Sequence, residues 1–316
     1  MSDASSPSEL TRLVVLQPWQ DERIDVFLAG ATDLSRRAAR RYLSDGRIWR
    51  NGNPLRVQSR TLEAGDVIDV LESSEILGVP PVPANSPPTI LFHDRWLLAA
   101  DKPTGVLSQS AETSAPDEVP FDNQVLTALA MECGKRPFLR MIHRLDRVTS
   151  GAVLFVRHRE ALSAVSKSWA EGRVERLYLA VIEGHPSSET ATIDRPIARD
   201  RGHTWRFKCQ EDGKTAQTEI QVLAKLERNL SVVLCRLITG RTHQVRVHLA
   251  DSGHPVLGDR LYGSTRRDEA PRPLLHAFSL ALPHPKTGDE LKIVSRPPED
   301  FQQFLRNPEI SLPAVL

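Results

Sequence analysis

The sequence predicts an α+β protein: a large, mixed and mostly antiparallel sheet flanked by helices, preceded by a small basic α/β module. Three observations lead there. Apolar stretches of strand length follow one another through short turns, without the regular strand–helix alternation of a doubly wound parallel fold. The segment ESSEILGVPPVPANSPP at 72–88 is rich in proline and serine and separates two regions of different composition. The 316 residues suffice for one domain of roughly 200 residues and a smaller one. The expected division is a flexible lead over 1–22, a basic module over 23–71, an extended linker over 72–88 and a large body over 89–316.

In the module, RIDVFLAG places Ile24, Phe27 and Leu28 at helical spacing. A second helix follows in LSRRAARRYLSDGR, with Ser35 as its N-cap and Asp45-Gly46 as its stop. IWRNGNPLRVQSRTLEAGDVIDV then reads as short strands broken at Asn51-Gly52 and Gly65. In the body, ILFHDRWLLAADKPTGVL fits a strand pair ending in a Pro-Gly turn. GAVLFVRH, RLYLAVIEG, KTAQTEIQVLAKL and LSVVLCRLI fit strands, while 121–133 and 160–171 fit helices.

The whole chain carries a net charge of only +1, which excludes a general polycation and leaves local patches open. One such patch is present. Between Ser35 and Arg60 stand eight arginines and a single acid, Asp45, a local net of +7. Arg36 and Arg40 share one helix face, Arg37 and Arg41 another, and with Arg47 they suit bidentate contacts to phosphate. A solvated surface is the plainer reading of the same residues. Three scattered cysteines, Cys133, Cys209 and Cys235, fit reduced, buried thiols rather than a disulfide or zinc framework. The absence of a long apolar run or a secretory leader points to a cytoplasmic protein with no membrane contact.

The densest chemistry lies in HRLDRVTSG at 143–151. Asp146, between Arg144 and Arg147, can stay ionised and serve as a nucleophile, a base or half of a structural ion pair. Thr149, Ser150 and Gly151 suggest a turn into the next strand, placing Asp146 at a rim. His143 is equally open, and Tyr178 alone reads as sheet core. No nucleophile elbow, Walker loop, deaminase or zincin motif is present. TGRTHQVRVHLADSGHPVLGD holds His243, His248 and His254; with 245–249 as a strand they would not converge, so no metal is expected.

Four motifs, in order, change this picture. HRLDRVTSG resembles the catalytic motif of the RluA-type pseudouridine synthases, and GRTHQVRVHLADSGHPVLGDRLYG at 240–263 resembles that family's second signature. DKPTGVL at 101–107 is similar to its lysine-proline motif, and RLYLAVIEG at 176–184 to the strand bearing its active-site tyrosine. The likeness runs from about 89 to 295, and residues 23–70 resemble an S4 domain, a small RNA-binding module. The resemblance implies isomerisation of specific uridines to pseudouridine in structured RNA, ribosomal rather than transfer RNA, with no cofactor, metal or obligatory protein partner. It places the essential carboxylate on Asp146, the active-site tyrosine on Tyr178 and the arginine paired with the carboxylate on Arg241. It gives His143 and Arg144 to shaping the site and holding opened RNA, and Lys102 to the pocket floor. Thr149, Ser150 and Gly151 become the structural turn, and Arg36, Arg37, Arg40, Arg41 and Arg47 the RNA-facing cations. Two departures concern substrate choice: Arg147-Val148 replaces the family's usual polar pair, and GVLSQS, with Gln109, lacks its histidine. The polar stretch SQSAETSAPDEVPFDN is expected near RNA, and Trp205-Arg206 fit either a contact with flanking RNA or an exposed hairpin tip. The competing reading is an RNA-binding protein that has lost catalysis.

Overall fold

The computed structural model describes residues 10–32, 34–44, 47–50, 53–55, 60–71, 87–109, 119–202, 206–266 and 269–306, and these fall into two compact units. In the first, strand β1 (Leu10–Val14), helices α1 (Ile24–Ala31) and α2 (Arg36–Ser44), and strands β2 (Ile48–Arg50), β3 (Asn53–Pro54) and β4 (Val67–Leu71) follow in order. The strands form an antiparallel sheet in the order β1-β4-β2-β3. The helical spacing read from the sequence is realised: Ile24, Phe27 and Leu28 are buried with Ala39, Leu43, Ile48 and Ile68. Ser35 Oγ accepts the Ala38 amide at 3.1 Å, an N-cap that satisfies one orphan donor of α2.

The flexible lead expected over 1–22 is corrected for its described part. Leu10–Val14 pairs along its length with Val67–Leu71, Val15 is buried, and the Trp19 ring packs edge-on against Phe27 at 5.5 Å. LTRLV is too short and too polar to declare itself; its partner lies more than fifty residues away. The Asp45-Gly46 stop, the Asn51-Gly52 turn, residues 72–86 of the linker, 110–118 and Trp205 lie outside the described residues.

The second unit opens with the hairpin β5 (Thr89–His93) and β6 (Leu97–Lys102), followed by α3 (Phe121–Cys133), β7 (Arg140–Met141), β8 (Ser150–Val156) and α4 (Arg159–Ala170). Then come β9 (Glu175–Glu183), β10 (Thr190–Asp194), β11 (Ile197–Arg199), β12 (Phe207–Cys209), β13 (Gln217–Leu226) and β14 (Leu230–Leu237). Helix α5 (Gln244–Asp251), β15 (Leu275–Pro283), β16 (Glu290–Val294) and α6 (Glu299–Leu305) complete it. Ten strands form one sheet with the main order β10-β13-β14-β9-β15-β8-β6-β5, β16 and β7 pairing at its sides, while β11 and β12 make a separate ribbon. Every pairing is antiparallel except β15 with β8. No described helix is long and apolar enough to cross a membrane.

Two departures from the expected elements have clear causes. Residues 245–249 are helical, not extended: Gln244 to Leu249 are all buried, polar and apolar in alternation, so no apolar stripe of helical period marks the segment. Cys133 is exposed at the end of α3 rather than buried, whereas Cys235 sits in the core.

The parallel contact positions the site. β15 meets β8 at only two positions, His276 with Ser150 and Ala277 with Gly151. Beyond them β7 takes over that edge of β8, Met141 opposite Phe155. The chain between β7 and β8, residues 142–149, is therefore held where the sheet splits. Gly151 is needed there: its φ is +123°, and a Cβ would lie 2.3 Å from the Ala277 carbonyl oxygen.

Gly151→Ala should accordingly cost about 3 kcal/mol or more, because backbone must move in the sheet centre. Gly134→Ala, also at positive φ but facing open space, should cost about 1 kcal/mol. Urea unfolding of both variants tests this; equal losses would contradict it.

Candidate active site

Residues 142–149 are fixed from below by main-chain contacts. The Lys102 side chain is fully buried, and its Nζ donates to the carbonyls of Pro103 (2.9 Å), Arg147 (3.3 Å) and Thr149 (2.9 Å). Three acceptors match the three donors of an ammonium group. Arg272, also buried, donates to the Val148 carbonyl at 3.3 Å while forming a bidentate pair with Asp300 of α6 at 2.6 and 3.0 Å. Thr104 Oγ1 donates to Val148 O at 2.9 Å, the Gly105 amide to Arg147 O at 2.7 Å, and Ser108 Oγ to Leu145 O at 2.7 Å. The Thr149 amide closes a turn on Asp146 O at 3.1 Å. Ser150 Oγ meets buried His276 Nδ1 at 2.9 Å, and Gly151 permits the sheet contact described above. Lys102, Thr149, Ser150 and Gly151 all lie in the framework beneath the loop.

Above that floor stands Asp146, its side chain 22% exposed. Arg246 Nη1 donates to its Oδ2 at 3.2 Å. The same guanidinium makes a bidentate pair with buried Asp259, Nε to Oδ2 at 2.6 Å and Nη2 to Oδ1 at 2.9 Å. Burial works against ionisation of Asp146, but His243, Arg246 and Lys102 outweigh it and hold the carboxyl below the usual range. Burial works against the charge on Arg246 too, yet Asp259 and Asp146 raise its pKa further above the ordinary value.

The expected partner is thus corrected. Arg241 is exposed, precedes α5, and its Nε donates to the Thr215 carbonyl at 2.8 Å. Arg246 stands within α5 on the side facing Asp146. The signal available in the sequence was its setting: an arginine among Val245, Val247 and Leu249 is buried and requires an acid partner, and Asp259 follows in the same motif.

Tyr178 lies on the face of β9 that joins the core with Ala180 and Ile182, and is 8% exposed. Burial pushes its phenol up to about 12, with Arg176 opposing and Asp146 adding, so it is neutral at pH 7. His143 Nε2 accepts the Leu154 amide at 3.1 Å and its ring stacks on Trp169 at 5.0 Å. Burial, then Arg176, pulls its pKa down to about 3, fixing the neutral form this contact needs. These contacts tie His143 to β8 and α4. Arg144 next to it is exposed.

In the basic module the arginines divide. Asp25, buried in α1, collects Arg23 Nε at 3.0 Å, Arg36 Nη2 at 3.4 Å and Arg40 Nε at 2.8 Å. Arg47 is buried and stacks on the Tyr42 ring at 3.5 Å, which corrects its reading as an RNA-facing cation. Arg37 and Arg41 are exposed. The three histidines of the second motif have separate partners: His243 meets Tyr262, His248 meets Thr218, and His254 meets the Glu183 carbonyl.

Comparison with known proteins agrees on both units. Residues 97–251 match the family model for RNA pseudouridylate synthase, and residues 22–68 match that for the S4 domain. An uncharacterized RNA pseudouridine synthase of Mycobacterium bovis is 33% identical over 294 residues, 90% of this chain and 93% of the relative. The dual-specificity RNA pseudouridine synthase RluA of Escherichia coli is 35% identical over 214 residues, 67% of this chain and 93% of that protein. Among solved structures, human RNA pseudouridylate synthase domain containing 1 superposes with a TM-score of 0.57 at 28% identity, covering 69% of this chain and 86% of its own.

Two outcomes separate the residues of this site. Arg246→Met leaves Asp146 and Asp259 facing each other without a cation and should cost about 3–5 kcal/mol, whereas Arg241→Met should cost less than about 0.5 kcal/mol; urea unfolding at pH 7 reads both. Burial pushes Lys102 down to about 7, Asp146 opposing. Its folded pKa then lies below its unfolded one near 10.4, so between those values the unfolded chain holds the extra proton and stability rises with pH, by up to about 1.4 kcal/mol per unit. Below pH 7 that gain is absent. Lys102→Met should remove this slope between pH 7 and 10, and an unchanged slope in the variant would contradict the assignment.

Proposed function

The chain belongs to the RNA pseudouridylate synthase family and isomerises uridine in RNA, and from that premise we propose that it modifies specific uridines of structured RNA, ribosomal rather than transfer RNA, through Asp146. One observation carries the reading: an ionised carboxylate, held by Arg246 on Oδ2 and partly open to solvent, whose charge is felt by the neutral phenol of Tyr178.

Pseudouridine formation breaks the N1–C1′ bond, turns the uracil and joins C5 to C1′, with no net change in composition or oxidation state. A carboxylate serves it as a group that assists at the sugar and is regenerated. To reach Asp146 the base leaves its stack, at a cost of a few kcal/mol that is least for unpaired nucleotides. Tyr178 stacks on the extruded uracil and returns part of that cost, about 1–3 kcal/mol. Its raised pKa suits this role, because the phenol carries no charge to repel Asp146. Arg144, exposed two residues before Asp146, holds the opened RNA. The loop is fixed by Lys102 and Arg272 through backbone carbonyls, so Asp146 meets the sugar in one position, and orientation of this kind lowers barriers without new chemistry. The S4 unit adds a second basic surface, through Arg37, Arg41 and the exposed parts of Arg36 and Arg40, which favours a large folded RNA.

The test is tritium release from C5-labelled, unmodified ribosomal and transfer RNA transcripts. Ribosomal transcripts should release tritium with the wild-type protein, and Asp146→Ala should be slower by at least about a hundredfold. Release from transfer RNA alone would overturn the choice of target. Tight binding without release from any transcript would favour an RNA-binding protein without catalysis, and release that survives Asp146→Ala would move the chemistry to another group.

A further inference from the structure

Beside Asp146 stands a polar ring that the chemistry above leaves unused. His243 immediately precedes α5 and has a φ of +57°, a left-handed conformation that is uncommon outside glycine and is found where the surroundings over-determine it. They do so here. The imidazole is wedged edge-on between Phe207 at 5.7 Å and Tyr262 at 5.6 Å, and its Nδ1 lies 2.7 Å from Tyr262 Oη. That hydroxyl oxygen accepts the Phe207 amide at 3.1 Å and has its own proton to give to His243 Nδ1, an arrangement favoured by the ionised Asp146, whose Oδ1 lies 3.9 Å from Nε2 and draws the ring's proton to that side. Nδ1 is then the acceptor and Nε2 carries the ring's proton.

Nε2 points to the cleft. It lies 3.9 Å from Asp146 Oδ1, beyond hydrogen-bond range, and has no hydrogen-bond partner among the described residues. The side chain is 17% exposed. Burial lowers the pKa of the ring, with Asp146 and Asp259 opposing and Arg246 adding, so the imidazole is neutral at pH 7. A neutral N–H donor is thus fixed beside the carboxylate and turned toward whatever lies against it.

Resting on the isomerisation proposed above, we propose that His243 is a further substrate-contacting residue, whose Nε2–H donates to the uracil as the N1–C1′ bond breaks. At that point the base holds the electron pair of the broken bond as negative charge, and a donor already in place stabilises it without reorganisation. The balance closes without proton transfer through the ring. C1′ loses N1 and gains C5, C5 loses its proton, N1 gains one, and His243 keeps its own throughout. Tyr262, fixed by Asp259 through its backbone amide at 3.3 Å, is the positioning residue that sets the tautomer.

Single-turnover tritium release from C5-labelled ribosomal RNA transcripts tests this, with thermal unfolding and RNA affinity measured on each variant. His243→Phe keeps a ring but no donor and should slow release by about 10²–10³-fold, with RNA affinity within about twofold of wild type. His243→Gln, which offers a side-chain N–H at similar reach, should recover to within about tenfold of wild type. Tyr262→Phe removes the tautomer lock from outside the cleft and should fall between them; if His243→Phe does not fold, this variant and His243→Gln decide. Wild-type rates in His243→Phe or Tyr262→Phe would overturn the inference. So would a His243→Gln protein as slow as His243→Phe, since that pattern belongs to proton transfer. A wild type silent on every transcript would instead overturn the proposed function, and an active wild type with indifferent His243 variants would leave that function standing.

Discussion

One guanidinium organises the site. Arg246 is buried in α5 between Asp146 and Asp259, and each contact constrains something different. The bidentate arm fixes Asp259, whose Oδ1 also accepts the amides of Leu261 and Tyr262 at 3.2 and 3.3 Å. Tyr262 in turn lies with its ring 5.0 Å from the Arg246 carbon and holds His243. The remaining arm holds Asp146. A buried guanidinium loses its hydration, and two carboxylates with excellent geometry are what make that tolerable. The two acids are not equivalent. Asp259 is fully buried and spends its oxygens on Arg246 and the backbone, whereas Asp146 keeps an oxygen toward the cleft. Of two carboxylates on the same cation, one is thereby wholly enclosed and the other left partly open.

The loop that carries Asp146 is positioned through its carbonyls rather than its side chains. Lys102 and Arg272 reach the carbonyls of residues 147, 148 and 149 from beneath. Contacts of this kind restrain the backbone whatever side chains it bears, which is why Val148 can replace a polar residue without freeing the loop. Lys102, when protonated, also adds to the field that keeps Asp146 ionised. The Arg272–Asp300 pair extends this restraint to α6, so the last described helix is mechanically joined to the first chemical residue.

The fold was largely legible where local chemistry decided it. The hairpin of β5 and β6, the helix over Phe121–Cys133 and the strands around Tyr178 followed from periodicity and turn residues. What escaped was non-local. β1 is paired by β4 from far along the chain, and α5 shows no helical period because Gln244 to Leu249 are buried in succession. The site was legible as a set of motifs and less so as a set of contacts. Asp146 and Lys102 stood where the motifs put them. The choice between Arg241 and Arg246 required knowing where α5 begins, since only Arg246 lies within it. The contacts of His143 were hidden for a related reason: nothing in HRLDRVTSG reveals that Leu154 offers an amide to it.

The basic module shows how a linear count of charge differs from a surface. The stretch around α2 holds eight arginines and one acid in sequence, but acids from elsewhere in the unit close on it. Asp25 meets Arg36 and Arg40, and Asp66 meets Arg50 at 2.6 Å. These contacts do not remove the arginines from use. Arg36 and Arg40 remain 54% and 46% exposed, and each guanidinium has five N–H donors of which Asp25 takes one. An acid that occupies one edge of a guanidinium leaves the opposite edge aimed outward with its rotamer already fixed. Ordering a long side chain costs about 0.5–1.5 kcal/mol when a ligand has to do it, and here Asp25 has done so in advance. The buried aspartate lowers the net charge by one while orienting the two cations that share a face of α2, which favours a defined phosphate geometry over diffuse attraction.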